Sequence, residues 1–87
     1  TTNLLGSNFT GANLTGVNLS GKDLTGINFT NANLTNVNLS NANLTGAIFT
    51  GANLTGTNLN NISLVGADLR GVDISKFNFK NKFTITF

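Results

Sequence analysis

A large apolar residue recurs at every fifth position of this chain, without interruption, from Leu4 to Phe79. A spacing of five matches neither the period of an α-helix nor the two-residue period of a β-strand. The backbone must therefore turn a corner within each unit, so that each unit delivers one large side chain to a shared axis. The sequence predicts a solenoid. Its sixteen central residues are Leu4, Phe9, Leu14, Leu19, Leu24, Phe29, Leu34, Leu39, Leu44, Phe49, Leu54, Leu59, Leu64, Leu69, Ile74 and Phe79.

The other positions of the unit also have a fixed character. Two residues before the central one stands a small or β-branched residue in most units, such as Ala12, Val17 or Thr57. The two positions alternate at period two across a short extended segment, so we expect both to point inward. The residue between them, usually Asn, and the Thr or Ser after the centre then point outward. Gly or Asn ends the unit, and because both residues tolerate tight-turn backbone this slot is predicted to be the corner.

A second period of twenty residues lies within the first. Phe9, Phe29 and Phe49 are twenty residues apart, as are Ala12 and Ala32. This interval is expected if four units complete one turn and like side chains stack in columns. The sixteen units then form about four coils. The outward Asn and Thr columns are expected to be exposed, with stacked amides hydrogen-bonded between coils as an Asn ladder.

Several units read A-N-L-T-G, as at 12–16 and 52–56, and 67–71 reads A-D-L-R-G. In this pattern the chain closely resembles the pentapeptide-repeat family over about nine-tenths of its length. The resemblance implies an all-β fold, a right-handed quadrilateral parallel β-helix with the central and small residues inside. It implies no single activity, because the family includes DNA-mimicking inhibitors of type II topoisomerases, modules of bacterial effectors and proteins of unassigned role.

Four residues depart from the pattern. Lys22 occupies an inward slot, where an unpaired charge is costly, and we expect its stem to reach the surface beside Asp23. Leu5, Ile48 and Val65 occupy outward slots. Leu5 and Val65 share one side and Ile48 lies on a neighbouring one, so they form no single patch. They are either isolated exposed apolar residues or a binding spot.

The pattern divides the chain into a solenoid, residues 1–81, and a C-terminal segment, residues 82–87. Apolar residues of that segment alternate at period two, which predicts a β-strand that is either a cap or a junction with another chain. At the other end the repeat begins directly, without a cap. We therefore expect an assembly interface, either a closed dimer or an open fibre of this chain. Its candidate residues are Phe77, Phe79, Phe83, Ile85, Phe87, Leu4 and Leu5.

The composition gives little support to catalysis. The chain has no His, Cys, Glu, Tyr or Trp, so we predict no enzyme activity, no cofactor and no metal site. Asp68 and Asp73 either form a general acid/base pair or pair with Arg70 and Lys76 at the surface, and surface pairing is favoured. Apolar runs are too short for a membrane span, and no feature assigns a compartment.

Charge separates the remaining function classes. DNA mimicry requires regularly spaced carboxylates, whereas this chain has five basic and three acidic residues. Its basic C-terminal residues give only weak support for nucleic-acid binding. The leading interpretation is a non-enzymatic structural or protein-interaction module that associates with itself. The alternatives are a binder that uses one side, such as a topoisomerase inhibitor, which the charge disfavours, or an ice-binding Thr/Asn face.

Overall fold

The computed structural model describes residues 4–73 and the backbone of residues 85–86. Within residues 4–73, nine isolated parallel bridges join residues that are twenty positions apart, from Asn8 with Asn28 to Ile48 with Asp68. Because each unit has five residues, four units complete one turn, which confirms the second period.

The bridges define the sides of the coil, each a short extended segment repeated in successive turns. Each side is named by the residues of its rungs, meaning the outward residue, the centre and the residue after it. The first side comprises 8–10, 28–30, 48–50 and 68–70; the second, 13–15, 33–35 and 53–55; the third, 18–20, 38–40 and 58–60; the fourth, 23–25, 43–45 and 63–65.

The corners have the backbone that the Gly/Asn slot predicts. At the first corner the N–H of Ala12 donates to the C=O of Phe9 at 2.9 Å, and Gly11 between them has a φ of 69°. An i to i+3 bond with positive φ at the third residue is the pattern of a type II turn. Asn takes over this slot at four corners with φ between 57° and 62°: Asn31, Asn36, Asn41 and Asn61.

Backbone hydrogen bonds between turns follow one scheme. Phe9 donates its N–H to the C=O of Asn28 at 2.7 Å, and Asn28 donates its N–H to the C=O of Ser7 at 2.9 Å. The corner residue adds a third bond, from the N–H of Gly11 to the C=O of Thr30 at 2.8 Å. Each unit is therefore bonded to the next turn both along its side and at its corner.

Two short strands lie at the C-terminal end of the described chain. Strand β1 is Ile62–Ser63 and strand β2 is Ile85–Thr86. They pair in parallel, with Ile62 opposite Ile85 and Ser63 opposite Thr86. This offset is 23 residues rather than the twenty of the bridges, so three extra residues enter before β2. Strand β2 falls within the predicted C-terminal segment, whose role as a cap or a junction stays a prediction.

The inside of the coil is filled as predicted. Leu34 is fully buried and Leu54 is 3% exposed, and the Phe column packs with ring centroids 5.9 and 5.4 Å apart. Thr57, which occupies an inward slot, is fully buried and donates its hydroxyl to the C=O of Leu34 at 2.9 Å. The buried apolar residues are Leu19, Leu24, Ile27, Phe29, Ala32, Leu34, Val37, Leu39, Ala42, Leu44, Ala47, Phe49, Ala52, Leu54, Leu59, Ile62 and Leu64.

The first coil, residues 4–23, departs from the prediction that both inward slots are buried. Val17 was expected inside, but 37% of its surface is exposed, whereas Val37 one turn later is fully buried. The central residues Leu4, Phe9 and Leu14 are only partly buried. The physical reason is that the first coil packs against the next turn on one side only.

The outward slots largely follow the prediction. Leu5 and Val65 are exposed, while Ile48 is half-buried by its neighbours in the column. Many outward Asn and Thr residues of the middle turns are half-buried rather than fully exposed, as at Asn33 and Thr35, because the adjoining rungs cover them. Stacking thus shields the polar columns more than the sequence suggested.

Asp23, which lies beside Lys22, bonds within its own unit. Both are half-buried, but the carboxylate of Asp23 accepts hydrogen bonds from the backbone and hydroxyl of Thr25 at 3.2 and 2.7 Å. Among residues 4–73 no ion pair joins Lys22 to Asp23. Asp23 was one candidate partner of Lys22, and the bonds to Thr25 use only one of its two carboxylate oxygens.

Leu34→Ala is expected to lower the free energy of unfolding by about 2–5 kcal/mol, because it leaves a cavity on the axis of the coil. Thr35→Ala, next to it, removes one local hydrogen bond and is expected to cost about 1 kcal/mol. Urea denaturation measures both values. Equal costs would show that the central side chains do not carry the core.

Gly51→Ala is expected to destabilise more than Gly46→Ala. Both glycines have positive φ, 68° and 69°, and this backbone alone costs an alanine about 1–2 kcal/mol. A Cβ at Gly46 meets open space, whereas one at Gly51 collides with the side-chain oxygen of Asn31 one turn earlier.

Repeating Gly51→Ala in an Asn31→Gly background checks this reason. The collision is absent there, so the cost measured by urea denaturation is expected to fall to that of Gly46→Ala. An unchanged cost in that background would contradict it.

Candidate interaction surfaces

One side-chain motif covers the outside of the coil. In the unit around Leu34, the side-chain oxygen of Asn33 accepts the N–H of Thr35 at 3.1 Å and its hydroxyl at 2.6 Å. Asn commonly bonds the backbone two residues ahead in this way. The same pair of bonds recurs around Asn8, Asn13, Asn28, Asn38, Asn43 and Asn53.

The motif fixes which way each amide faces. Both partners of the Asn side-chain oxygen are donors, so the oxygen must face Thr and the amino group must lie on the other side of the amide. Asp23 makes the same bonds to Thr25, because only the acceptor oxygen is used. The sequence analysis treated Asn and Thr as separate columns and missed this link, although their spacing of two residues was the signal. The Asn ladder between turns stays a prediction.

An ion pair interrupts the first side. Arg70 donates from Nη2 to one carboxylate oxygen of Asp68 at 2.7 Å and from Nε to the other at 3.0 Å. These bonds, with a smaller contribution from the side chain of Thr50, lower the pKa of Asp68 to about 2. The predicted surface pairing of Asp68 with Arg70 is thus confirmed. Lys76, the expected partner of Asp73, lies outside the described residues.

The described part of the chain contains no cluster of metal-ligating side chains. Within residues 4–73, no three His, Cys, Asp or Glu side chains come together, and every buried side-chain nitrogen or oxygen has a hydrogen-bond partner. No helix long and apolar enough to cross a membrane occurs in the same residues. The surfaces left to describe are the sides of the coil and its ends.

The N-terminal edge of the first coil presents backbone groups. In the first coil, the residues on either side of Asn8, Asn13 and Asn18 make the hydrogen bonds to the next turn. The N–H and C=O groups of these three Asn residues therefore point away from that turn. Within residues 4–73 these groups meet no backbone partner. The edge thus resembles the edge strand of a sheet, where such groups can pair with another chain.

The same edge also presents apolar side chains. Val17 is 37% exposed and Leu5 is 51% exposed, and both lie at this edge beside the partly buried Leu4, Phe9 and Leu14. Val17 is a member of this surface that the sequence analysis did not find. Its inward slot gave no sign of exposure, since the slot is buried in later turns.

The structure places only part of the predicted assembly interface. Leu4 and Leu5 lie at the N-terminal edge, Leu4 partly buried and Leu5 exposed. The backbone of Ile85 forms part of β2. The remaining predicted members lie outside the described residues: Phe77, Phe79, Phe83 and Phe87.

Comparison with known structures finds proteins of the same architecture. HetL, a pentapeptide repeat protein involved in heterocyst differentiation regulation in the cyanobacterium Nostoc sp. strain PCC 7120, is 32% identical with a TM-score of 0.54; the match covers 82% of this chain and 35% of HetL. A pentapeptide repeat protein from the thylakoid lumen of Arabidopsis thaliana is 35% identical with a TM-score of 0.59; the match covers 83% of this chain and 61% of that protein.

These coverages mean that the chain spans about a third and three-fifths of the two proteins. Comparison with curated protein sequences gives no match. The family profile of pentapeptide repeats matches in eight copies over residues 2–31, 15–51 and 47–81. Together with the twenty-residue coil and its positive-φ corners, this match shows that the chain belongs to the pentapeptide-repeat family, whose members form right-handed quadrilateral β-helices.

Proposed function

We propose that this chain is a right-handed β-helix of about four coils that acts, without catalysis, as a structural or protein-interaction module, and that it assembles end to end with copies of itself. The observation that carries the proposal is the first described coil, residues 4–23. There Val17 is 37% exposed, and the N–H and C=O groups of Asn8, Asn13 and Asn18 meet no backbone partner within residues 4–73.

The occupant that fits this edge is another coil of the same period. The backbone groups of this edge recur every five residues on the first, second and third sides, which matches the spacing by which one turn of this chain bonds to the next. A globular partner would satisfy one side at most, whereas a second copy satisfies several sides together.

The C-terminal segment supplies the other half of the proposed contact. Phe83 and Phe87 lie in this segment and Phe77 and Phe79 just before it, and together they are more large apolar groups than one strand needs, which favours a junction. Strand β2 adds a parallel strand beside β1, in the direction in which further turns stack. Because the two ends differ, a head-to-tail contact is heterologous and extends into a fibre unless it closes.

The solved relatives differ in role and setting. HetL is involved in regulation, and the Arabidopsis thaliana relative is a protein of the thylakoid lumen. Each is longer than this chain, so their partners are not transferred to it.

Val17→Lys and Val65→Lys form a matched pair for testing assembly. Both valines are exposed, 37% and 43%, but Val17 lies at the N-terminal edge and Val65 on the fourth side. Lys22 occupies the equivalent inward slot of the same coil, so a lysine at position 17 is expected to fold. Sedimentation velocity is expected to show concentration-dependent oligomers of the wild type and of Val65→Lys, and smaller species of Val17→Lys.

The C-terminal half of the contact has its own variants. Charged substitutions at Phe83 and Phe87 are expected to weaken assembly while the central coils stay folded by circular dichroism. A wild-type chain that stays monomeric at high concentration would instead make the aromatic segment a cap. Electron microscopy distinguishes fibres from closed dimers.

The competing class is an inhibitor of a type II topoisomerase that imitates DNA, and we expect this chain not to inhibit DNA gyrase in that way. Duplex DNA presents about one charge per 1.7 Å, whereas residues 4–73 carry three carboxylates, and that of Asp68 is held by Arg70. A supercoiling assay is expected to show no inhibition. Potent inhibition that is lost in Asp68→Asn and Asp73→Asn would contradict this expectation, whereas inhibition that survives both substitutions would indicate a neutral binding surface.

A further inference from the structure

The second side differs from the other three in its uniformity. Its rungs 13–15, 33–35 and 53–55 all read Asn-Leu-Thr. Within residues 4–73, Ile48 and the Arg70–Asp68 pair interrupt the first side. The third side has Ser or Asn in the Thr slot, and the fourth carries Asp23 with the exposed Leu5 and Val65. A regular array of one motif therefore lies on one side, bounded at its C-terminal end by Asp73.

Each rung of the second side presents a fixed donor and a fixed acceptor. The hydroxyls of Thr15, Thr35 and Thr55 each donate a hydrogen bond to the side-chain oxygen of the Asn two residues earlier, at 2.7, 2.6 and 2.6 Å. The lone pairs of each hydroxyl oxygen are then left to accept bonds from outside, and the amino group of each Asn is left to donate.

The array is also rigid before anything binds. The β-branched Thr side chain has restricted χ1, and the bonds to Asn hold both side chains in place. Binding therefore orders few rotamers, which lowers the entropic cost of contact with a rigid surface. A soft or irregular partner would gain less from this preorganisation than an ordered one.

The distances between the hydrogen-bonding groups of the array can be compared with those between water molecules in ice. Successive rungs of a parallel coil lie about 4.8 Å apart, and within a rung the Thr hydroxyl oxygen lies 2.6 or 2.7 Å from the Asn side-chain oxygen. The spacing between rungs is comparable with the distance between second-neighbour water oxygens in ice, and the spacing within a rung with that between first neighbours. The side also carries no charge within its three rungs, so no ionic hydration shell competes with a lattice of neutral water.

We propose that the second side binds ice, with the Thr hydroxyl oxygens accepting and the Asn amino groups donating hydrogen bonds to an ordered water layer. This activity is separate from the assembly of the ends, which use the axis and the edges of the coil. One prediction distinguishes it from a merely polar surface: activity depends on one side and not on the number of Asn-x-Thr motifs in the chain.

Asn33→Asp and Asn28→Asp test the proposal as a matched pair. Both Asn residues are half-buried in the middle of a column and hold their Thr hydroxyls at 2.6 Å. Asp23 shows that Asp keeps the same bonds, so each variant adds a charge without removing the motif. Asn33 lies on the second side and Asn28 on the first.

Thermal hysteresis and inhibition of ice recrystallisation are measured for the wild-type chain and both variants. We expect activity for the wild type and for Asn28→Asp, and loss of most of it for Asn33→Asp, with matching circular dichroism spectra. Thr35→Lys and Thr30→Lys repeat the comparison with a bulky side chain, in case Asn33→Asp fails to fold. An inactive wild type, or equal losses for both members of each pair, would overturn the proposal.

Discussion

The corner with positive φ is the constraint on which the rest of this structure depends. Without a left-handed residue at every fifth position, as at Gly11 or Asn31, the chain would not turn, and no period of twenty would follow. Once it turns, residues twenty apart lie opposite each other, and parallel hydrogen bonds join them. The burial of the central side chains and the alignment of the polar columns are consequences of that stacking.

Much of this fold was predictable because each rule is local. A corner needs Gly or Asn, a central slot needs a large apolar side chain, and sixteen repetitions make the periods unambiguous. What failed depended on which neighbours each residue has. Val17 obeys the rule for an inward residue, yet it is exposed because the first coil is covered on one side only. Lys22 has an acid beside it, yet no ion pair joins the two side chains within residues 4–73.

The surfaces were harder to read than the core. The sequence showed Asn and Thr facing outward, but not that each Asn oxygen is used up inside its own unit by the Thr two positions on. That bond changes what the side presents, from freely rotating hydroxyls to fixed acceptors beside amide donors. It also explains why Asp substitutes for Asn at Asp23 and Asp68, since only an acceptor oxygen is required to hold the residue that follows.

The two proposals draw on opposite properties of one repeated unit. In the first described coil, Asn8, Asn13 and Asn18 have backbone groups without a backbone partner among residues 4–73, and Val17 has exposed apolar surface, so this coil is suited to contact another turn. On the second side, the Asn and Thr side chains around Thr35 hydrogen-bond to each other within their units. This side therefore presents a rigid, regular pattern of the remaining donors and acceptors. The backbone groups at an end are best paired by a partner that continues the coil. The regular Asn and Thr groups of a side are best matched by a partner whose own groups repeat at a similar spacing. A repeat protein can thus carry two functions without a specialised site, because its edges and its sides expose different groups of the same unit.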